Sequence, residues 1–331
     1  MYKAEENRYT SFKYRKVGHS GLVLPPLSLG CWHNFGDNTA IEQQKQILYT
    51  AFDHGINHFD LANNYGTPFG SAEKNIGYFL KNDFKRYRDE LIISTKAGWD
   101  MWAGPYGQGG SGRKYLTASL DQSLNRLGLD YVDIFYSHRY DADTPLEETA
   151  QTLADFVRQG KALYIGISSG YTPELTSKLT QLLAQYNVPM TIHQPVYNLL
   201  NRDLEKDILP AAESENFGLI TFSPLAQGLL GGRYLNGIPN DSRVARGSQY
   251  LTQEHIQPQI LDQINQLNEI AKRRGQTLAQ LAISWVLRHK SVTSTIIGAS
   301  QSQQILENLK SLDHLDFSAD ELRMIDQITK Q

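Results

Sequence analysis

From residue 27 onward the chain alternates short apolar runs with longer stretches in which apolar residues recur every three to four positions. The short runs centre near residues 29, 58, 93, 134, 165, 192, 220 and 295, eight in all, and read as buried strands. The longer stretches predict helices over 40–54, 72–81, 114–127, 146–159, 173–186 and 202–216. Most successive strand centres lie 27 to 41 residues apart, the length of a strand–helix unit, but the last interval is 75 residues and must hold an insertion or an extra helix. Residues 252–274 and 277–288 read as helices of an outer ring, and Ser318 with Glu321 forms a capping box opening a tail helix over 318–329. Ahead of the first strand, Phe12 to Val17 alternates, Gly18-His19-Ser20-Gly21 signals a turn, and Leu22-Val23-Leu24 runs to two prolines. This predicts a small hairpin closing the bottom of a barrel.

Regular alternation of strand and helix implies a parallel sheet covered by helices. A closed eight-stranded barrel and an open doubly wound sheet both satisfy it. The count of eight favours the barrel, as do the polar strand ends: Asp60, Lys96, His138, Ser168-Ser169, Gln194 and Phe222 lie at or just past the ends of six different strands. Only a barrel brings six such ends to one site. The expected fold class is therefore α/β, a (β/α)8 TIM barrel with an N-terminal β-hairpin, extra helices and long βα loops. No linker or low-complexity segment divides residues 1–331, so one domain is expected.

Composition narrows the setting. The chain is 40% hydrophobic and 20% charged, enough apolar residue for a sizeable core. A net charge of −3 with a pI near 6.3 gives no electrostatic case for nucleic acid. The single cysteine, Cys31, excludes an internal disulfide and fits a reducing compartment. The polar start Met1-Tyr2-Lys3-Ala4-Glu5-Glu6 does not read as a signal peptide, and no apolar run approaches the ~20 residues needed to span a bilayer. A cytoplasmic protein with neither membrane nor nucleic-acid partner is expected.

Two motifs are decoys. Gly107-Gln108-Gly109-Gly110-Ser111-Gly112 satisfies G-x-G-x-x-G, but it begins eleven residues after Lys96 rather than directly after a strand. Residues 98–113 instead read as a long aromatic, glycine-rich loop over the mouth of the barrel. His54 and His58 have the i,i+4 spacing of a zinc helix. However, Gly55 falls between them and the glutamate of H-E-x-x-H is missing, so no metal site is expected.

The chemistry concentrates in His58-Phe59-Asp60-Leu61-Ala62-Asn63-Asn64-Tyr65-Gly66. A strand delivers Asp60 at its end, and the following loop carries Tyr65. Leu91 to Lys96 ends the next strand on an ammonium, and Tyr131 to His138 ends the one after on an imidazole. A phenol titrates near 10 in water, too high for an efficient acid at neutrality, and an ammonium within ~4–6 Å lowers that value. Asp60 would hold Lys96 charged, and His138 would donate a hydrogen bond to a carbonyl oxygen while Tyr65 protonates it. Asp133 and Tyr136 read as core or supporting residues.

Asp60, Tyr65, Lys96 and His138, with landmarks from Leu29-Gly30 to Gly298-Ala299-Ser300, resemble the catalytic tetrad and frame of the aldo-keto reductases. Within them the chain is most similar to the potassium-channel β-subunit-like branch, and there to the bacterial L-glyceraldehyde 3-phosphate reductases. The resemblance implies hydride transfer from a nicotinamide, with NADP as cofactor. It implies that Ser168, Ser169 and Gln194 hold the carboxamide and that Phe222 stacks on the ring. It implies that Trp32 lies beside the cofactor and, with His33, Trp99 and Arg139, against the substrate. Ser223, Pro224, Leu225 and Gly228 resemble the loop around the pyrophosphate, and Arg233 and Arg243 its phosphate clamp. Gly298, Ser300, Gln304, Glu307 and Asn308 resemble the adenosine 2′-phosphate end, where many relatives carry Arg or Lys.

The expected reaction is reduction of a small aldehyde, glyceraldehyde 3-phosphate or one like methylglyoxal, with Arg139 meeting a substrate phosphate or forming a rim ion pair. Two alternatives stay open: an NADP-binding regulatory β-subunit, and a Schiff-base aldolase using Lys96. The branch implies a homo-oligomer of four or eight subunits.

Overall fold

The computed structural model describes residues 2–235, 237–239, 244–245, 247, 251–252 and 256–330. Two short strands, β1 (Arg15–Lys16) and β2 (Val23–Leu24), pair antiparallel as the expected hairpin. Eight parallel strands follow: β3 (Leu27–Gly30), β4 (His58–Asp60), β5 (Ile92–Ala97), β6 (Val132–Arg139), β7 (Ala162–Ser169), β8 (Met190–His193), β9 (Gly218–Thr221) and β10 (Val292–Ile297). They close in sequence order, with β10 pairing both β9 and β3. The barrel inferred from eight strand signals is thus the observed architecture.

Among the described residues ten α-helices accompany the strands: α1 (Ile41–Asp53), α2 (Ser71–Asn82), α3 (Arg113–Leu127), α4 (Leu146–Arg158), α5 (Pro173–Gln185), α6 (Ile208–Glu215), α7 (Pro258–Arg273), α8 (Leu278–Leu287), α9 (Ser302–Leu309) and α10 (Ala319–Thr329). Their ends follow local chemistry. Thr172 caps α5 ahead of Pro173, capping boxes open α8 (Thr277, Gln280) and α10 (Ser318, Glu321), and Gly128 closes α3 in the left-handed region at φ 66°.

Two expected helices differ. Residues 202–216 divide into a 3-10 turn, Asp203–Glu205, and α6. Pro210 has no N–H to give and is tolerated only in a first turn, so the helix starts just ahead of it. The helix expected over 252–274 begins at Pro258, its first position, for the same reason. No helix among the described residues is long and apolar enough to cross a membrane.

The period of two along each strand separates two cores. One side faces the helices: Leu29, Phe59, Ile93 and Phe135 belong to the large outer cluster. The other side fills the barrel, where Ile134, Tyr136, Ile192, Ile220 and Ile296 meet Val17, Leu22 and Leu24 of the hairpin. The hairpin plugs the N-terminal end of the strands. Gly218, at the start of β9, is so close to Val17 that an added Cβ would lie 2.5 Å from its Cγ1. The same alternation sends Ser28, His58, Asp60, Ser94, Lys96 and His138 inward, leaving the C-terminal mouth for chemistry.

Candidate active site

The barrel register sets the centre of the site. Asp60 pairs with Gly30 on one side and Ser94 on the other, and Lys96 pairs with Tyr136. Lys96 therefore rises one inward step above Ser94. Its Nζ donates to Asp60 Oδ2 at 2.6 Å and to the carbonyl of Leu61 at 2.5 Å. The two side chains are 0% and 3% exposed, so each is the other's main compensation for lost water. Burial pushes the Lys96 ammonium below its ordinary value, and Asp60 pulls it back. Asp60 Oδ1 accepts from Ser94 Oγ at 2.8 Å and from Gln194 Nε2 at 3.0 Å.

Tyr65 hangs over this pair on a braced turn. Its N–H donates to Ala62, and its carbonyl accepts from Gly70 and Ala72 at the start of α2. Gly66, at φ 86°, passes so near Ser71 that a Cβ would meet its Oγ at 2.3 Å; only glycine fits there. The Lys96 ammonium lies 4.9 Å from the centre of the Tyr65 ring. His138 closes the far side, 5.9 Å from that ring and edge-on to it. Burial, then the charges of Lys96 and Arg139, push the imidazole well below its usual range, and its Nδ1 is buried without a partner. A neutral imidazole so placed is a hydrogen-bond donor rather than an acid.

Aromatic rings wall the space. Trp32 stacks on His33 at 3.7 Å and faces Tyr65 at 5.8 Å; Trp99 stands edge-on to His138 at 6.2 Å. The loop over 98–113 is built, not open. Met101 N–H donates to Gly107 and Gly110 N–H to Gly98. The phenol of Tyr115 donates to the carbonyl of Trp99 at 2.5 Å and accepts from Asn63 Nδ2 at 3.1 Å. The glycine-rich stretch is the return arm of this loop, where a Cβ at Gly107 would strike the Trp102 ring at 2.2 Å. Arg139 Nε donates to Gly98 O at 2.6 Å and its guanidinium covers the Trp99 ring at 4.7 Å. Arg139 thus fastens the loop.

The remaining candidates line the rim. Ser168 Oγ donates to the carbonyl of Gln194 at 2.9 Å, both side chains being buried, and Ser169 ends β7 beside Arg139. Phe222 is half-buried against the inner core. From Ser223 the backbone enters the left-handed region repeatedly, at Ser223 (55°), Ala226 (46°), Gln227 (58°) and Gly228 (102°), with Pro224 and Leu225 between. Such runs can turn N–H groups toward an anion, although those of Ala226 and Gly228 donate here to the carbonyls of Ser223 and Leu225. Arg233 is exposed; Arg243 lies outside the described residues. Gly298 is exposed at the end of β10, and Ser300 donates through N–H and Oγ to Gln304 Oε1 at 2.7 and 3.2 Å. Glu307 accepts instead from Gln303 and Lys310, and Asn308 is buried.

The sequence reading passed over Ser94, Asn63 and Tyr115, and weighed His58 only as a metal ligand. His54 is bonded to its own helix at Thr50, while His58 lies inside the barrel with both ring nitrogens bonded to serines. A polar residue two positions before Asp60 and another two before Lys96 share their inward face, and that periodicity was the available signal.

Comparison with known proteins agrees with this geometry. The model of the "Aldo/keto reductase family" matches residues 26–330. The chain is 57% identical to the L-glyceraldehyde 3-phosphate reductases of Escherichia coli O157:H7 and of strain K12, over 99% of this chain and 95% of theirs. It is 38% identical to a probable voltage-gated potassium channel subunit beta of Arabidopsis thaliana, over 91% of each chain. A barrel with this match along nearly its whole length is an oxidoreductase scaffold, and the chain belongs to the aldo/keto reductase family.

Proposed function

We propose that the chain reduces a small aldehyde to its alcohol with NADP(H), Tyr65 giving the proton to the carbonyl oxygen. The observation that carries this reading is the buried Lys96 ammonium, 2.6 Å from Asp60 and 4.9 Å from the centre of the Tyr65 ring. A cation in water-poor surroundings favours the phenolate, so the phenol parts with its proton more readily. His138, neutral and facing Tyr65, donates to the same oxygen and orients it. Trp32 and Trp99 limit water around the carbonyl.

The mouth suits a dinucleotide. Its left-handed run at Ser223–Gly228 fits a pyrophosphate. At Ser300 two donors already converge on one acceptor oxygen, as a phosphate would require. Ser168, Ser169 and Gln194 would hold the carboxamide, Phe222 and Trp32 the ring, and Ser223, Pro224, Leu225, Gly228 and Arg233 the pyrophosphate. Gly298, Ser300, Gln304, Glu307 and Asn308 would take the adenosine end. When bound, the reduced nicotinamide supplies hydride to the carbonyl carbon.

Glyceraldehyde 3-phosphate is the preferred substrate, on the named activity of the Escherichia coli relatives, with methylglyoxal as the unphosphorylated comparison. Arg139, on the loop's inner edge beside Trp99, is the candidate for the phosphate. Against a Schiff-base aldolase stands the chemistry of Lys96: both acceptors around it favour the ammonium, which is not a nucleophile. Assembly into four or eight subunits is proposed by analogy with the β-subunit relatives.

NADPH oxidation against an aldehyde panel tests the reading. Tyr65→Phe should lower kcat by about 10²–10⁴-fold while NADPH fluorescence titration gives an unchanged Kd. Parent-like turnover by Tyr65→Phe would overturn it.

A further inference from the structure

Below Asp60 a file of buried polar side chains runs down the inside of the barrel. Ser94 Oγ donates to Asp60 Oδ1 at 2.8 Å. His58 Nε2 is 2.9 Å from Ser94 Oγ, and His58 Nδ1 is 2.7 Å from Ser28 Oγ. Ser28 Oγ is in turn 2.7 Å from Ser294 Oγ. All four side chains below Asp60 are 0% exposed.

The direction of each bond follows from counting hydrogens. A carboxylate only accepts, so the one hydroxyl hydrogen of Ser94 goes to Asp60. Ser94 Oγ must then accept from His58, which puts the ring proton on Nε2. Nδ1 is left bare and takes the hydrogen of Ser28, whose oxygen takes that of Ser294. Every donor points toward Asp60, and such a chain polarises cumulatively. The file ends at buried Ser294, so it is no route for protons to solvent. Both imidazole nitrogens are used, so it is no metal site.

We infer that His58 is a positioning residue for the reduction: held as one tautomer between Ser28 and Ser94, it keeps the Asp60–Lys96 pair in its charged form beneath Tyr65. The inference rests on the proposed role of Tyr65. Plain packing would be met by an apolar residue, without burying an imidazole that its surroundings push down to about 4. The polar file earns its place by supporting the anion that does most to hold the Lys96 charge.

The test is the pH dependence of kcat for the parent and for His58→Leu and His58→Gln. The titratable groups around Lys96 are Asp60, Tyr65, Tyr136, His138, Cys31 and Glu73, all left intact. With Asp60 no longer held in place, its carboxylate moves off the 2.6 Å contact and Lys96 gives up its proton at lower pH, so the alkaline limb of His58→Leu should move down by about one unit. Its kcat should fall about 10–100-fold, as for other groups that orient a reacting residue from behind, with KM within about threefold of the parent. A glutamine amide offers one donor and one acceptor at similar separation, so His58→Gln should recover most of both.

A parent-like profile for His58→Leu, or a His58→Gln variant as impaired as the leucine, overturns the inference. If His58→Leu does not fold, Ser28→Ala decides: it frees the tautomer, a smaller shift in the same direction supports the inference, and no shift overturns it. Tyr65→Phe in the same assay separates the two levels. Full activity there defeats the proton-donor reading itself, whereas an inactive Tyr65→Phe beside a parent-like His58→Leu defeats this inference alone.

Discussion

At the residue scale the site is a problem of two charges with almost no water. Lys96 and Asp60 are each tolerable only because the other is there, and their energetics are therefore strongly non-additive. Lys96→Met leaves a buried carboxylate facing a hydrocarbon chain and should cost about 3–5 kcal/mol in chemical denaturation, besides abolishing turnover. Asp60→Leu combined with Lys96→Met removes both charges. That double variant should be more stable than Lys96→Met alone while remaining as inactive. If the single and double variants unfold together, the ion pair contributes far less than its burial implies. That Asp60, Tyr65, Lys96 and His138 meet at one mouth was legible in the sequence because each ends or follows a strand signal. What Ser94 and His58 do was not legible, because a hydrogen bond between neighbouring strands depends on register, and no strand encodes its neighbour's register alone.

At the element scale the determining feature is how the long loop after β5 is tied down. Tyr115 on α3 bonds the Trp99 carbonyl above and Asn63 beside the Tyr65 turn, and Trp102 stacks on its ring at 5.3 Å. Tyr115→Phe keeps the stacking and removes both bonds. It should cost about 1–3 kcal/mol and raise KM for the aldehyde more than it lowers kcat, with faster hydrogen exchange confined to 98–113 and 61–66. Exchange unchanged in both segments would mean that they are held independently. The loop itself was legible from its aromatic and glycine content, and so were the hairpin plug and the helices up to α5. The helix expected over 202–216 failed at Pro210, whose breaking effect outweighs a favourable apolar period. The direction of Arg139, toward Gly98 rather than an acidic neighbour, depends on a loop carbonyl that sequence patterns do not register.

At the scale of the whole molecule, the barrel encloses more imidazole than its near-neutral charge suggests. His58 and His193 are fully buried and pushed down to about 4 by burial, and His138 is pushed well below its usual range. Protonation is easy in the unfolded chain, near 6.5, and hard in the native barrel. Between pH 6.5 and about 4 the unfolded state therefore binds protons that the native state does not, and stability falls as pH falls through that window. The contribution is present in full above pH 6.5, and each of the two histidines with a pKa near 4 removes about 3 kcal/mol by the lower end. His193 is the cleaner probe, because it lies behind Ser168, whose carbonyl its Nε2 meets at 3.2 Å, and outside the file beneath Asp60. His193→Gln should flatten the fall in unfolding free energy by about 1.4 kcal/mol per pH unit within the window, while leaving the slope above pH 7 as it was. Urea melts of parent and variant at half-unit intervals from pH 7.5 to 5 measure this directly. Parallel curves across the whole range would mean that His193 already takes up its proton in the folded barrel, and that burial does not hold it neutral.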